Sequence, residues 1–116
     1  MKTFRELFIW QKAMVLVTNT YQTTRKFPKE ELFGLTSQIR RSSISIPSNI
    51  AEGFGREGNK EFNRFINISI GSLFEFQTQI EIAKNINYID ENEFKKLYEE
   101  SRELEAMIVS FSKKLK

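Results

Sequence analysis

The sequence predicts an all-α fold, an antiparallel up-down-up-down four-helix bundle forming a single domain over residues 1–116. Three observations lead there. Apolar or small residues recur at alternating spacings of three and four in four successive segments, the period of an amphipathic helix. Pro28, the cluster Gly53, Gly55 and Gly58, and the stretch Asn87 to Asn92 separate those segments. The intervening connections are short, which makes successive helices antiparallel neighbours.

The first stripe is Leu7, Trp10, Met14, Val17 and Tyr21, preceded by Thr3 and Glu6 at capping-box spacing. Pro28 closes it. The second is Leu32, Leu35, Ile39, Ser42, Ile46, Asn49 and Gly53, and the cluster Gly53, Gly55 and Gly58 ends it. Pro47 lies inside this stripe, where a proline removes a backbone hydrogen bond at a cost of about 3 kcal/mol. The stripe keeps phase across it, so helix 2 is expected to kink at Pro47 and continue. A strand at Ser43–Ile46 would rest on four alternating residues with no partner strand.

The third stripe is Phe62, Ile66, Ser69, Leu73, Phe76, Ile80 and Ala83, followed by a break over Asn87 to Asn92. Asp90 and Glu93 form the capping-box spacing for the fourth, which is Phe94, Leu97, Ser101, Leu104, Ile108, Phe111 and Leu115. Breaks are thus predicted near residues 27–31, 54–59 and 87–91. Further apolar residues surround the first stripe (Phe8, Ile9, Leu16) and the third (Phe65, Ile68, Leu73, Ile82), a surplus that suggests either a subunit interface or a wide core face with scattered exposed residues.

Composition narrows the chemistry. Cysteine and histidine are both absent, which removes disulfides, thiolate nucleophiles, imidazole bases and the usual zinc, copper and haem ligands. The expectation is therefore a protein that is not an enzyme and carries no cofactor and no metal. The N-terminal residues lack a signal-peptide pattern and no segment approaches a membrane span, so a soluble, cytoplasmic protein without a membrane partner is expected. The net charge of +3 is unevenly placed: residues 1–58 carry a balance of +4 and residues 59–116 a balance of −1. Such asymmetry suggests an acidic partner such as nucleic acid, the alternative being that Lys and Arg solvate exposed helix faces.

Three motifs invite catalytic or cofactor readings and fail. Gly53-Phe54-Gly55-Arg56-Glu57-Gly58 fits the dinucleotide fingerprint, with Glu75 about twenty residues on, but a helical stripe precedes it where a buried strand is required. The serines of Ser42 to Ser48 have no histidine to activate them and are better read as small packing residues that bond helix carbonyls. Glu75 and Glu81 lack the histidines of a di-metal bundle site.

Two polar sets remain. Asn49, on the second stripe, and Glu52 read as a structural cluster, the asparagine fixing register and the glutamate pairing with an arginine. Lys12, Arg25, Lys26, Lys29, Arg40, Arg41 and Arg56 supply most of the positive excess of the first half and are the candidate phosphate contacts.

The chain resembles the family of 23S ribosomal RNA intervening-sequence proteins. Matching segments are Leu7-Phe8-Ile9-Trp10-Gln11-Lys12-Ala13, Phe27-Pro28-Lys29-Glu30-Glu31-Leu32-Phe33-Gly34-Leu35 and Gln38-Ile39-Arg40-Arg41-Ser42-Ser43. The match continues through Ile46-Pro47-Ser48-Asn49-Ile50-Ala51-Glu52-Gly53-Phe54-Gly55-Arg56 and Gly71-Ser72-Leu73-Phe74-Glu75. The resemblance implies a bundle that assembles into a homopentameric ring without enzymatic activity. It also implies a relation to the accessory variability protein of diversity-generating retroelements, which binds nucleic acid and a reverse transcriptase. The expected function is that of a nucleic-acid-binding accessory factor acting on RNA or single-stranded DNA. The alternative is a protein–protein scaffold.

Overall fold

Four α-helices take up the predicted segments in the computed structural model, which describes residues 2–116. They are α1 (Phe8–Thr24), α2 (Leu35–Phe54), α3 (Gly58–Asn85) and α4 (Glu91–Lys114), with short 3-10 turns at Phe4–Glu6 and Lys29–Glu31. Each helix packs against its neighbour in the chain and α4 closes back on α1, whereas the diagonal pairs α1–α3 and α2–α4 keep their backbones apart, so the bundle is up-down-up-down. No strand occurs among the described residues.

Burial follows the third and fourth stripes closely. Ile66, Ser69, Leu73, Phe76, Ile80 and Ala83 of α3 and Leu97, Ser101, Leu104 and Ile108 of α4 are all buried. From α2 come Ile39, Ser42, Ile46, Ile50 and Gly53, whereas Leu32, at the predicted head of that stripe, lies outside the helix and is exposed.

The first stripe is displaced by about one residue. The buried line of α1 is Ile9, Ala13, Leu16, Thr20 and Thr24, while Trp10, Val17 and Tyr21 are half-buried and Met14 is exposed. Hydroxyl chemistry explains the error. Thr20 Oγ1 donates to the Leu16 carbonyl at 2.7 Å and Thr24 Oγ1 to the Thr20 carbonyl at 2.8 Å, so both threonines enter the core with their polar atoms satisfied. Of the surplus apolar residues, Ile9, Leu16, Phe65 and Leu73 therefore belong to the core, and Phe8, Ile68 and Ile82 remain exposed.

The caps divide in the same way. Asp90 Oδ1 accepts from the Glu93 amide at 2.7 Å and Glu93 Oε1 accepts from the Asp90 amide at 3.1 Å, a complete capping box for α4. Thr3 instead caps the first 3-10 turn by accepting from the Arg5 amide, and α1 begins later, with Leu7 at its N-cap.

Helices α2 and α3 form a seam of small side chains. At its end, a Cβ on Gly53 would stand 2.7 Å from the Phe65 Cβ and 2.9 Å from Phe62 Cδ1, so the backbone crossing there requires glycine. Along it, Ser42 Oγ donates to Gln79 Oε1 at 2.7 Å, the Ser45 and Ser72 hydroxyls bond at 2.7 Å, and Ser69 Oγ donates to the Ile46 carbonyl at 2.9 Å. Helix α2 runs unbroken through Pro47, and the segment Ser43–Ile46 is helical. Within the cluster from Gly53 to Gly58, residues 55–57 connect α2 to α3: Gly55 caps α2, and Gly58 opens α3 with a φ of 79°.

Candidate nucleic-acid interface

The predicted basic residues do not form one patch. Lys12 and Lys26 pair with Glu103 and Glu93 on α4, joining α1 to its neighbour. Arg40 is held by the fold: its Nε donates to Thr24 Oγ1 at 2.9 Å and its guanidinium lies over the Tyr21 ring, 4.5 Å from the centroid. Arg56 pairs with Glu52 at 3.0 Å, one helical turn away. Arg40 and Arg56 are far apart: Arg56 lies beyond the end of α2 at Phe54, which is itself about 21 Å from Arg40 at 1.5 Å per residue. Among the described residues, Arg25, Lys29 and Arg41 make no ion pair.

Arg25 and Lys29 line a shallow hollow with Arg40 at the end of the bundle that carries the α1–α2 and α3–α4 connections. Arg41 opens onto a polar groove of about 370 Å³ between α2 and α3, lined also by Gln38, Ser42, Ser45 and Glu75. The polar pair Asn49 and Glu52 separates. Asn49 is half-buried and its Nδ2 donates to the Ser45 carbonyl at 2.8 Å and to Ser45 Oγ at 3.0 Å, within α2. Glu52 is exposed and takes its arginine from its own chain.

The opposite end gathers charge that the linear reading missed. There the N-terminal turn, the α2–α3 connection and the C-terminus meet, tied by the rings of Phe54 and Phe62 at 6.1 Å and of Phe62 and Phe111 at 5.4 Å. Lys2, Arg5, Lys60, Lys113, Lys114 and Lys116 share this end and make no ion pair among the described residues. Of its acids, Glu52 is matched by Arg56 and Glu61 by Arg64, the latter bond holding the Glu61 carboxyl below its ordinary pKa, while Glu6 and Glu57 offset two of the six cations. A positive excess is left. Lys60 and Lys113 are 53 positions apart in the chain, and only the antiparallel order of helices brings their ends together. The structural role of Lys113 and Lys114 is to complement the dipole of the last turn of α4.

An apolar groove of about 530 Å³ opens beside these lysines, between the start of α1 and the end of α4, lined by Leu7, Phe8, Ile9, Met107, Phe111 and Lys114. Phe8 is 76% exposed, so an aromatic face stands in solvent at the same groove as a lysine. Stacking platforms flanked by cations have the chemistry that holds single-stranded nucleic acid. The described residues offer no group of three metal-ligating side chains, and none of their helices is long and apolar enough to cross a membrane.

The model of one family, described as 23S rRNA-intervening sequence protein, matches residues 5–110. In fold the chain is similar to a protein of unknown function from the S23 ribosomal protein family of Bacteroides thetaiotaomicron. The two are 23% identical with a TM-score of 0.79, over 90% of this chain and 98% of the other. No curated protein matches the chain. The chain belongs to the 23S rRNA-intervening sequence protein family.

Proposed function

We propose that this member of the 23S rRNA-intervening sequence protein family is a non-enzymatic, self-assembling module that binds RNA or single-stranded DNA through the end of the bundle carrying both chain termini. The observation that carries this reading is the gathering of unpaired lysines at the end of the bundle where Phe8 and Lys114 line one groove. Lysines supply phosphate contacts without sequence preference, and an exposed phenylalanine supplies a face on which any base stacks. Arg25, Lys29 and Arg41, open to solvent elsewhere on the molecule, are secondary contacts.

The resemblance noted from the sequence supports a homopentamer and a nucleic-acid enzyme as partner. A single subunit neutralises few phosphates. Copies arranged with their terminal ends on one side present several such surfaces to one strand, and linked contacts multiply affinity by about 10²–10⁴. The protein acts in the cytoplasm under this reading.

The test is retention of a labelled single-stranded RNA by the wild-type protein and by the variant K60E/K113E/K114E. At 50 mM salt the wild type binds and the variant loses at least tenfold in affinity. Equal binding by both removes the terminal end from the interface. A scaffold without nucleic-acid affinity is the second reading, favoured by the ion pairs that occupy Lys12, Lys26 and Arg56; it predicts an assembled protein with no RNA retention at all.

A further inference from the structure

The hollow beside the α1–α2 connection has a cationic wall and an apolar floor. Arg25, Lys29 and Arg40 form the wall, Phe27, Pro28 and Leu32 the floor, and the enclosed volume is about 340 Å³, at the small end of the roughly 300–1,000 Å³ of small-molecule sites. None of the three cations pairs with a carboxylate among the described residues. The nearby acids are directed elsewhere. Glu31 accepts from the Tyr88 hydroxyl and the Leu35 amide, Glu93 takes Lys26, and neither of them nor Glu30 lines the hollow.

Arg40 is oriented by the fold alone. The bond from its Nε to Thr24 Oγ1 and the stack on Tyr21 fix the guanidinium, and its Nη groups donate to no side chain or carbonyl among the described residues. A guanidinium held in this way meets an oxyanion with parallel N–H donors and loses little freedom in doing so.

Thr36, in the first turn of α2, gives an independent sign. It is 3% exposed, lines the same hollow, and its Oγ1 has no hydrogen-bond partner. Thr20 and Thr24 satisfy their hydroxyls on carbonyls four residues back in their own helix. For Thr36 the corresponding residue is Leu32, which precedes α2. A buried hydroxyl left without a partner is costly, and an acceptor arriving from outside removes that cost. Threonine uses two χ1 rotamers in helices, and exchange between them re-aims the hydroxyl toward such an acceptor. The amides of the same turn and the positive end of the α2 dipole also favour an anion there.

We propose that this hollow binds a phosphate monoester carried on a flat apolar body, the chemistry of a nucleoside 5′-monophosphate. The monoester carries about −1.5 to −2 charges at neutral pH with three acceptor oxygens, enough to answer Arg40 together with Arg25 or Lys29 and to accept from Thr36. A carboxylate or a phosphodiester brings a single charge and answers less of the wall. The body rests on Pro28 and Leu32. The same group occurs on a free mononucleotide and at the 5′ end of an RNA strand. The site is independent of the RNA surface proposed above, at the other end of a bundle 43 Å long.

Isothermal titration calorimetry of the wild-type protein with adenosine 5′-monophosphate (AMP), adenosine and inorganic phosphate tests the site. AMP is expected to bind with a Kd below about 1 mM, and adenosine and phosphate, each lacking one half of the ligand, about tenfold or more weaker. R25A/K29A, at two exposed positions, is expected to weaken AMP about tenfold. Thr36→Val is expected to weaken it about threefold while unfolding, without ligand, at the same or a higher temperature than wild type, so that its lost binding does not come from a damaged fold. K60E/K113E/K114E is expected to keep AMP affinity within about twofold, because the two ends lie farther apart than charges act through salt. In that variant, a 5′-phosphorylated RNA hexamer that binds about tenfold tighter than its 5′-hydroxyl twin assigns the site to strand ends, and equal affinity of the two assigns it to free mononucleotides. No AMP binding up to about 5 mM, equal affinity for AMP and adenosine, or unchanged AMP affinity in R25A/K29A or in Thr36→Val overturns the proposal and leaves the RNA reading of the terminal end in place.

Discussion

The Tyr88 hydroxyl donates a 2.7 Å hydrogen bond to Glu31 Oε2, joining the α3–α4 connection to the α1–α2 connection across one end of the bundle. The Leu35 amide donates to the other oxygen at 3.2 Å, so the same carboxylate also caps the start of α2. Together they hold the Glu31 carboxyl below its ordinary pKa, the tyrosine bond being the larger cause, and Glu31 in turn raises that of Tyr88.

A pH dependence follows from these signs. A carboxylate with a lowered pKa stabilises the fold above its ordinary value and loses that contribution as pH falls through the lowered one; a phenol with a raised pKa keeps its contribution until pH rises through the raised value. Tyr88→Phe is therefore expected to be less stable than wild type at pH 7. The difference should narrow as pH falls through the lowered pKa of Glu31, where the carboxylate that accepts the tyrosine bond is lost. Urea unfolding midpoints at pH 7 and pH 3 measure it, and a constant difference between them contradicts the assignment.

Gly53→Ala tests the close crossing of α2 and α3. Helix propensity favours alanine by about 1 kcal/mol. The clash with Phe65 and Phe62 forces repacking that costs about 1–3 kcal/mol and is expected to prevail. Thermal unfolding gives the sign, and a stabilised variant would show that the seam yields easily.

Arg40→Ala separates structure from recognition at a residue that the sequence alone offers as a phosphate contact. Losing the bond to Thr24 and the stack on Tyr21 is expected to lower stability by about 1–2 kcal/mol while leaving RNA affinity within a factor of two. A stable variant with weakened RNA binding reverses the assignment.

Asp90→Ala removes one side of the capping box of α4 and is expected to cost about 1 kcal/mol. Denaturant unfolding checks it, with Asp90→Asn as the variant that retains most of the cap.

Three of the four stripes were legible because α2, α3 and α4 bury residues that are apolar or small by any scale. The first was misplaced because Thr20 and Thr24 are buried by virtue of bonds to their own helix, which apolar patterning does not register. The basic end of the bundle was hidden for a different reason. Charge was summed along the chain, whereas the fold sums it by helix ends, and Lys113 joins Lys60 only once four helices alternate in direction. Asn49 was singled out from its stripe position and Arg40 from its charge, and they bond within α2 and to α1 respectively.

The most direct measurement of the central claim is the salt dependence of binding to a fluorescent single-stranded RNA, followed by anisotropy between 50 and 200 mM salt. Saturable binding is expected at 50 mM, weakening about 10³–10⁵ fold by 200 mM if six to ten phosphates are contacted across the assembly. Phe8→Ala should reduce affinity by about fivefold or more at fixed salt through lost stacking. No binding at 50 mM by an assembled wild-type protein would contradict the nucleic-acid reading and leave a protein scaffold.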